Sequence, residues 1–329
     1  MHAASIPLLG AVRITKGFTQ VEIAERATAS QAVISGLERG RAPMTDIVAN
    51  SLANTLTVPT GLLRARAPQP YILQRLQSSL PAHLVKTLRA EFSLAHFHIR
   101  RLLGRPAASW PRLAPEARPS EHASALRRSW RVGAGPIEDM VGLLESHGVV
   151  VLMRDLSGLR TPAVGSWSQD EHPVVFLDPG TSPREARAAL AREIGHAVMH
   201  KRPAHQSTRE AIEFATELLL PSQEVIWNWV AQMDRTRLRD LEETWGVPAS
   251  VILDAARRAG AITSTQQRKL KSIVSGIGTE ARPHPRERPR ALLAAVQRQV
   301  AAGATLDHVA ASMLLDRASL QTKFLAGAG

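Results

Sequence analysis

Cysteine is absent from the 329 residues of this chain, and aromatic residues make up only 4% of it. Without cysteine the protein has no disulfide, no cysteine-ligated zinc site and no cysteine-bound iron–sulfur cluster. Because aromatic side chains are scarce, the cores must be built from Leu, Val, Ile and Ala, which favours helices. No uncharged apolar run approaches the roughly eighteen residues that a membrane helix needs. We therefore expect a mainly α-helical, cytoplasmic protein with no membrane partner.

The chain has a formal net charge of +12, and most of its basic residues are arginine. A strongly positive protein is expected to bind an anionic partner such as nucleic acid. Arginine and alanine are both abundant, however, so a compositional bias explains the charge equally well. The function must therefore be inferred from specific motifs.

We divide the chain into four predicted segments on its hydrophobic periodicity, prolines and glycines, and on the extent of the resemblances described below. Residues 1–68 form a helical unit, 69–128 a helical linker region, 129–262 an α+β domain and 263–329 a helical C-terminal region. The linker region contains one long amphipathic helix, Ala82–Leu103. Three histidines in it do not share one face, so we expect them to be solvated or to cap the helix; they are His83, His96 and His98.

The first segment contains five short apolar-periodic stretches. Thr19 and Glu22 have the spacing of a capping box, and Ser30 can cap the following helix, which Gly40 ends. Two short helices joined by a tight turn have the helix-turn-helix geometry. The side chains of the second of these helices that we expect in the core are Val33, Ile34 and Leu37.

The run FTQVEIAERATASQAVISGLERGRAP resembles the Cro/repressor type of helix-turn-helix, the XRE family. The resemblance implies a five-helix domain that binds an inverted-repeat operator in double-stranded DNA as a homodimer. It implies that Gln20 contacts a phosphate and that the next helix faces base edges. A five-helix protein-interaction domain is the alternative. The candidate DNA contacts are Gln20, Ser30, Gln31, Ala32, Ser35, Arg39 and Arg41.

The stretch 186–221 reads as two helices joined by a short loop, and it contains the sequence REIGH at 192–196. Zinc peptidases of the H-E-x-x-H type place two histidines one helical turn apart, with the glutamate as general base. Here Arg192 occupies the first histidine position. A guanidinium has no lone pair to donate to a metal, and its fixed positive charge would repel a dication.

The motifs REIGHAVMH and EAIEFATELLLP, together with the helix and strands before them, resemble the ImmA/IrrE family of metallopeptidases over roughly 129–262. The resemblance implies a zincin-like α+β domain with a small three-stranded sheet. It implies that Glu193 is the catalytic base and that His196 and Glu210 are zinc ligands. Ile212 stands where the second motif has asparagine.

Three interpretations of this domain remain open. In the first, it no longer binds zinc and acts as a sensor or interaction module for a protein or small-molecule effector, with Arg192 paired to Glu193 or Glu210. In the second, His200 joins His196 and Glu210 in a rebuilt zinc site. In the third, the domain only scaffolds a dimer. We favour the first and therefore expect no cofactor, with zinc present only if the site is rebuilt.

Together these patterns predict a DNA-binding transcriptional regulator with a catalytically inactive peptidase-like domain. An active zinc metalloendopeptidase that cleaves a repressor is the alternative, and Arg192 argues against it. Near the C-terminus, 306–324 has a weak helix-turn-helix pattern, for which we prefer a packing or dimerising hairpin.

Overall fold

A computed structural model shows a mostly helical chain with two small sheets, which confirms the predicted fold class at this level. The chain divides into two compact units. Unit 1 contains the described residues of 1–107, 165–174 and 290–329, and unit 2 those of 108–164 and 175–289. No helix in the described part of the chain is long and apolar enough to cross a membrane. The structure describes residues 5–68, 70, 80–106, 117–167, 171–199, 207–229, 233–274 and 288–326.

The first part of unit 1 contains the five expected helices: α1 (Leu9–Thr15), α2 (Gln20–Arg26), α3 (Gln31–Glu38), α4 (Asp46–Leu56) and α5 (Thr60–Arg64). The predicted capping box is confirmed, since the Thr19 hydroxyl accepts from the Glu22 amide and the Glu22 carboxylate accepts from the Thr19 amide. The Ser30 hydroxyl caps α3 by accepting from the amide of Val33.

The core face of α3 is narrower than predicted. Ile34 and Leu37 are buried, but 40% of Val33 is exposed, so its predicted place in the core was wrong. Val33 is about 40° from Leu37 and about 100° from Ile34 around the helix, so it lies at the edge of the stripe that these two residues form.

A two-stranded antiparallel sheet was not predicted. It pairs β1 (Ser5–Pro7) with β2 (Arg66–Pro68), and Ile6 lies opposite Ala67. Both strands are three residues long and end in proline, so neither shows the alternating pattern that identifies a strand. The sheet joins the two ends of the five-helix part.

Helix α6 spans Ala82–Leu103 and begins and ends where it was predicted to. The prediction that its three histidines are solvated or cap the helix was wrong for two of them. His83 is exposed, whereas His96 and His98 are each only 3% exposed. His96 Nε2 lies 2.9 Å from the Ser166 hydroxyl. The helix is therefore a buried element of unit 1, and its surroundings come from distant parts of the chain.

Unit 2 begins with α7 (Pro119–Ser129) and α8 (Met140–Ser146), followed by β3 (Val150–Met153), β4 (Ala163–Ser166) and β5 (Val174–Leu177). The predicted three-stranded sheet is confirmed, with the order β3-β5-β4. The connection 165–174 is counted with unit 1. Helix α8 begins at Met140 because the Asp139 carboxylate caps it by accepting from the Gly142 amide.

The remaining helices of unit 2 follow in sequence: α9 (Pro183–Met199), α10 (Ser207–Leu219), α11 (Ser222–Asn228), α12 (Arg235–Trp245), α13 (Ala249–Arg258) and α14 (Ser264–Val274). The helical runs are broken at Gly246 and Gly260, which have φ angles of 60° and 77°. At Gly246 a side chain would also collide with the Arg187 guanidinium. Arg187 is buried and donates to the carbonyls of Ile137, Trp245 and Gly246.

The chain then returns to unit 1 with α15 (Ala291–Ala301), α16 (Leu306–Ser312) and α17 (Arg317–Leu320), which continues as a wider helical turn through Leu325. Helices α15 and α16 pack against α6. His98 Nδ1 lies 2.7 Å from the Met313 carbonyl and donates to it. The C-terminal region is thus part of the unit that contains the N-terminal helices.

The buried histidines make the stability of unit 1 sensitive to pH. Burial lowers the pKa of both His96 and His98 to about 4, from 6.5. Between these values the unfolded chain takes up protons that the folded chain does not. We therefore expect the free energy of unfolding to fall as the pH drops from 6.5 towards 4, by about 2 kcal/mol per histidine at pH 5.

Denaturant titrations followed by circular dichroism across this pH range measure the effect. His98→Gln should remove about one histidine's share of the pH dependence. The control His83→Gln should leave it unchanged, because His83 is exposed. Identical pH profiles for wild type and His98→Gln would contradict a buried neutral His98.

Candidate functional site

Helices α2 and α3 are joined by a turn in which Thr28 has a φ of 53°. The Ala29 amide donates to the Ala24 carbonyl at 2.9 Å, which closes the turn. Ile23, Ala24 and Ile34 are buried and hold the two helices together. The sequence therefore folds locally into two short helices with a fixed mutual angle, which is what a helix-turn-helix needs to present its second helix.

Most of the predicted DNA contacts lie on the surface. Ser30, Gln31 and Ala32 are exposed at the start of α3, and Arg39 and Arg41 are exposed after its end. The Ser30 hydroxyl is already engaged as the helix cap. Ser35 differs from the others because only 8% of it is exposed, which leaves little surface for contact with a base.

A chain of polar contacts holds Gln31 in place. The Gln31 amide nitrogen donates to the Gln20 carbonyl oxygen at 2.9 Å, and the Gln20 amide nitrogen donates to Glu38 at 2.7 Å. Glu38 also pairs with Arg13, which is 4% exposed and donates to the Phe18 carbonyl. The orientation of Gln31 is thus set by side chains from three helices.

Gly10 shows how closely α1 approaches this network. A methyl group on Gly10 would lie 3.3 Å from the carboxyl carbon of Glu38. Sequence reasoning named Gln20 and Gln31, but it missed Glu38 and Arg13, which support them. It also missed the exposure of Val33 beside the candidate contacts of α3.

The peptidase-like site is built on α9 and α10. Helix α9 runs unbroken through 192–196, so Arg192 and His196 lie one turn apart on one face. Glu193 and His196 are 8% and 4% exposed, respectively. Glu210 is half-buried in the first turn of α10.

Gly195 sets the distance between α9 and α10. A Cβ at this position would lie 2.9 Å from Cδ1 and 3.1 Å from Cγ of Phe214. Phe214 is fully buried, so it has no free space into which to move. The glycine is therefore required for the close contact that brings Glu193, His196 and the start of α10 into one region. Sequence reasoning named neither Gly195 nor Phe214.

The Peptidase_M78 family model, the IrrE N-terminal-like domain, matches residues 144–256. An ImmA/IrrE-like domain is present in this chain. The match covers about a third of the sequence, from α8 to α13, and it includes both motifs of the candidate site. Comparisons with curated proteins and with solved structures give no match.

The described side chains of this ImmA/IrrE-like domain do not fit a zinc ion. A catalytic zinc site needs three protein ligands and an open position. His196 and Glu210 can each supply one metal ligand. Arg192, which stands where the motif has another ligand, supplies none. Across the described residues, no group of three His, Asp or Glu side chains is arranged to hold a metal. His200, the ligand of the rebuilt-site interpretation, lies outside the described residues.

The contact between Gly195 and Phe214 can be tested by substitution. Gly195→Ala should destabilise unit 2 by about 1–3 kcal/mol, because the methyl group forces α9 and α10 apart. Replacing a glycine inside a helix with alanine normally stabilises the protein by roughly 0.5–1 kcal/mol, so the expected change has the opposite sign. Chemical denaturation measures the difference.

The matched control is Gly158→Ala, since a Cβ there meets no heavy atom within 4 Å. Phe214→Leu should partly relieve the clash, so the double variant should be more stable than the sum of the two single changes predicts. Strict additivity would show that α9 and α10 do not meet at these two residues.

Proposed function

We propose that this protein is a sequence-specific DNA-binding transcriptional regulator. Its homodimer binds an inverted-repeat operator in double-stranded DNA through α2 and α3. Its ImmA/IrrE-like domain is a catalytically inactive module that senses an effector or binds a partner. The observation that supports DNA binding best is the polar network that orients Gln31 on the exposed face of α3.

The hydrogen bond to Gln20 suits Gln31 to base recognition. A glutamine amide has two N–H donors and one carbonyl acceptor. Adenine is bound in the major groove by one donor and one acceptor together, so a bond through a single N–H to Gln20 is compatible with this pairing. Because the side chain is already oriented, binding loses less side-chain entropy.

The exposed arginines support contact with the DNA backbone. Arg39 and Arg41 follow the end of α3, where they can reach phosphates on either side of a groove. A protein-interaction domain would instead be expected to present apolar side chains from α3. Only Val33 meets that description on this helix, since the other large apolar residues of α3 are buried.

The proposal of an inactive peptidase-like domain rests on Arg192. The residue lies on the same face of α9 as His196, and a guanidinium stays charged at any usable pH. Glu193 and His196 are buried beside it, as expected for residues that now serve packing or recognition. The domain would influence DNA binding through an effector that remains to be identified.

Replacement of Gln31 tests the DNA-binding proposal. Gln31→Ala should weaken binding to an operator selected from random duplexes by about 1–3 kcal/mol, because one base-specific pair is lost. Binding to random-sequence DNA should change little, since it depends on phosphate contacts. Fluorescence anisotropy at fixed salt, with the operator and a scrambled duplex, measures both.

Gln223→Ala is the matched control, because Gln223 is an exposed glutamine on α11. It should bind the operator as tightly as the wild type. An equal loss on operator and scrambled DNA for Gln31→Ala would contradict the assignment of α3 as the reading helix.

Zinc content tests the proposed state of the ImmA/IrrE-like domain. We expect the purified wild type to contain no stoichiometric zinc and the Arg192→His variant to bind one zinc per chain, because the variant restores a third ligand. Elemental analysis after dialysis against zinc gives the ratio. Arg192→Gln is the control, since it removes the charge without adding a ligand.

One zinc per wild-type chain would contradict the inactive module. If His200→Ala then removed that zinc, the rebuilt site with His196 and Glu210 would be established. The metalloendopeptidase alternative would become the leading interpretation.

A further inference from the structure

Helices α16 and α17 repeat the local structure of α2 and α3. Helices α2 and α16 are both seven residues long, and each begins at a capping threonine, Thr19 or Thr305. In both cases the hydroxyl accepts from the amide three residues later, which is Glu22 in the first and His308 in the second. The two helices therefore start in the same way.

The turns also correspond residue for residue. Leu314 has a φ of 59° at the position where Thr28 has 53°. The next amide closes each turn by donating to the carbonyl five residues earlier, from Leu315 to Ala310 and from Ala29 to Ala24, both at 2.9 Å. A left-handed conformation is uncommon for residues other than glycine, and its occurrence at the same place in both turns indicates one shared geometry.

The second helices match in their caps. Asp316 caps α17 by accepting from the Ser319 amide at 2.7 Å, as Ser30 caps α3 by accepting from the Val33 amide. The buried positions in the two helix pairs match too. Ile23 corresponds to Val309, Ala24 to Ala310 and Ile34 to Leu320, and each of these residues is at most 3% exposed.

This correspondence changes the interpretation of 306–324. The sequence favoured a packing hairpin, and α16 does pack against α6. Packing alone, however, does not require the same cap spacing, turn conformation and core positions as another pair of helices. The geometry is that of a helix-turn-helix, and the outer face of α17 remains exposed.

The exposed face of α17 and of the wider helical turn that continues it, Gln321–Leu325, is polar and basic. Arg317 takes the place of Gln31, Ala318 that of Ala32, and Gln321 that of the buried Ser35; Arg317, Ala318, Gln321, Thr322 and Lys323 are all exposed. The segment 288–326 carries five Arg or Lys residues against two Asp residues. This charge balance fits an anionic partner such as nucleic acid and disfavours a basic or apolar one.

Arg317 is held only loosely. Its guanidinium lies 3.8 Å from the Asp307 carboxylate, and the two side chains are 56% and 71% exposed. Surface ion pairs of this kind contribute little to stability. The guanidinium can therefore exchange Asp307 for a base edge or a phosphate without disturbing the fold.

We propose that α16 and α17 form a second DNA-binding unit, in which α17 enters the major groove of double-stranded DNA. Arg317 and Gln321 would read base edges, because arginine pairs with guanine and glutamine with adenine in that groove. Lys323 would contact a phosphate. This inference goes beyond the proposed role of α2 and α3 and does not depend on it. Each chain then has two reading helices.

Selection from a random pool of duplexes with the full chain, followed by footprinting, tests this inference. The selected duplex should show two stretches protected from cleavage, and mutation of one reading helix should abolish protection of one stretch only. The Arg317→Ala, Gln321→Ala double variant should bind it roughly tenfold more weakly or worse and should lose one stretch. Gln31→Ala should affect the other stretch.

The matched control is the double variant Arg298→Ala, Gln297→Ala, which makes the same two replacements at exposed positions of α15. It should bind within about twofold of the wild type. Circular dichroism and thermal melts of all variants exclude unfolding as the cause of a loss.

The outcomes separate the two proposals. If the α17 variant binds and protects as the wild type does while Gln31→Ala does not, the second unit is overturned and the role of α3 stands. If Gln31→Ala has no effect and the α17 variant loses binding, α3 is not a reading helix and the second unit stands. If the full chain enriches no duplex, both proposals are overturned.

Discussion

The burial of α6 is the constraint on which unit 1 depends. The helix is 22 residues long and is covered by elements from both ends of the described chain, with α1 and β2 before it and α15 and α16 after it. Two of its histidines are buried as neutral rings, and one of them bonds to the backbone of the C-terminal helices. A helix that looks like a linker in the sequence therefore joins the N-terminal and C-terminal regions into one unit.

Unit 2 is organised by buried arginines that donate to backbone carbonyls. Arg187 connects α9 to the carbonyls of Ile137, Trp245 and Gly246, and Arg127 on α7 donates to Gly133, Gly135 and Leu218. A structural metal site contributes folding energy when it binds its ion. Here the helices around Glu193 and His196 are packed by side-chain contacts such as that of Gly195 with Phe214.

Local signals in the sequence were enough to predict most helices, and the family resemblance implied the three-stranded sheet. Caps such as Thr19 and Ser30 and the glycines at 246 and 260 determine where helices begin and end. Contacts between distant residues could not be predicted, which is why the burial of His96 and His98 was missed. The correspondence of α16 and α17 with α2 and α3 was not predicted, because it depends on turn and cap geometry that the two stretches of sequence do not share as letters. In the candidate sites, the sequence pointed to Gln20, Gln31, Glu193 and His196, whose roles remain predictions, but not to the contacts made by Glu38, Arg13 and Gly195.

Unit 1 is built from segments at both ends of the sequence, and this affects the order in which the protein folds during synthesis. Domains generally fold as units while the ribosome still adds residues. All of unit 2 is synthesised before α15 and α16, which cover part of α6, so unit 2 can complete its core first. Until residues 291–326 have emerged, the apolar face of α6 and the ring of His98 lack the cover that the C-terminal helices provide. During that interval the exposed apolar surface makes the nascent chain prone to aggregate, and a ribosome that stalls before α15 would leave this surface open.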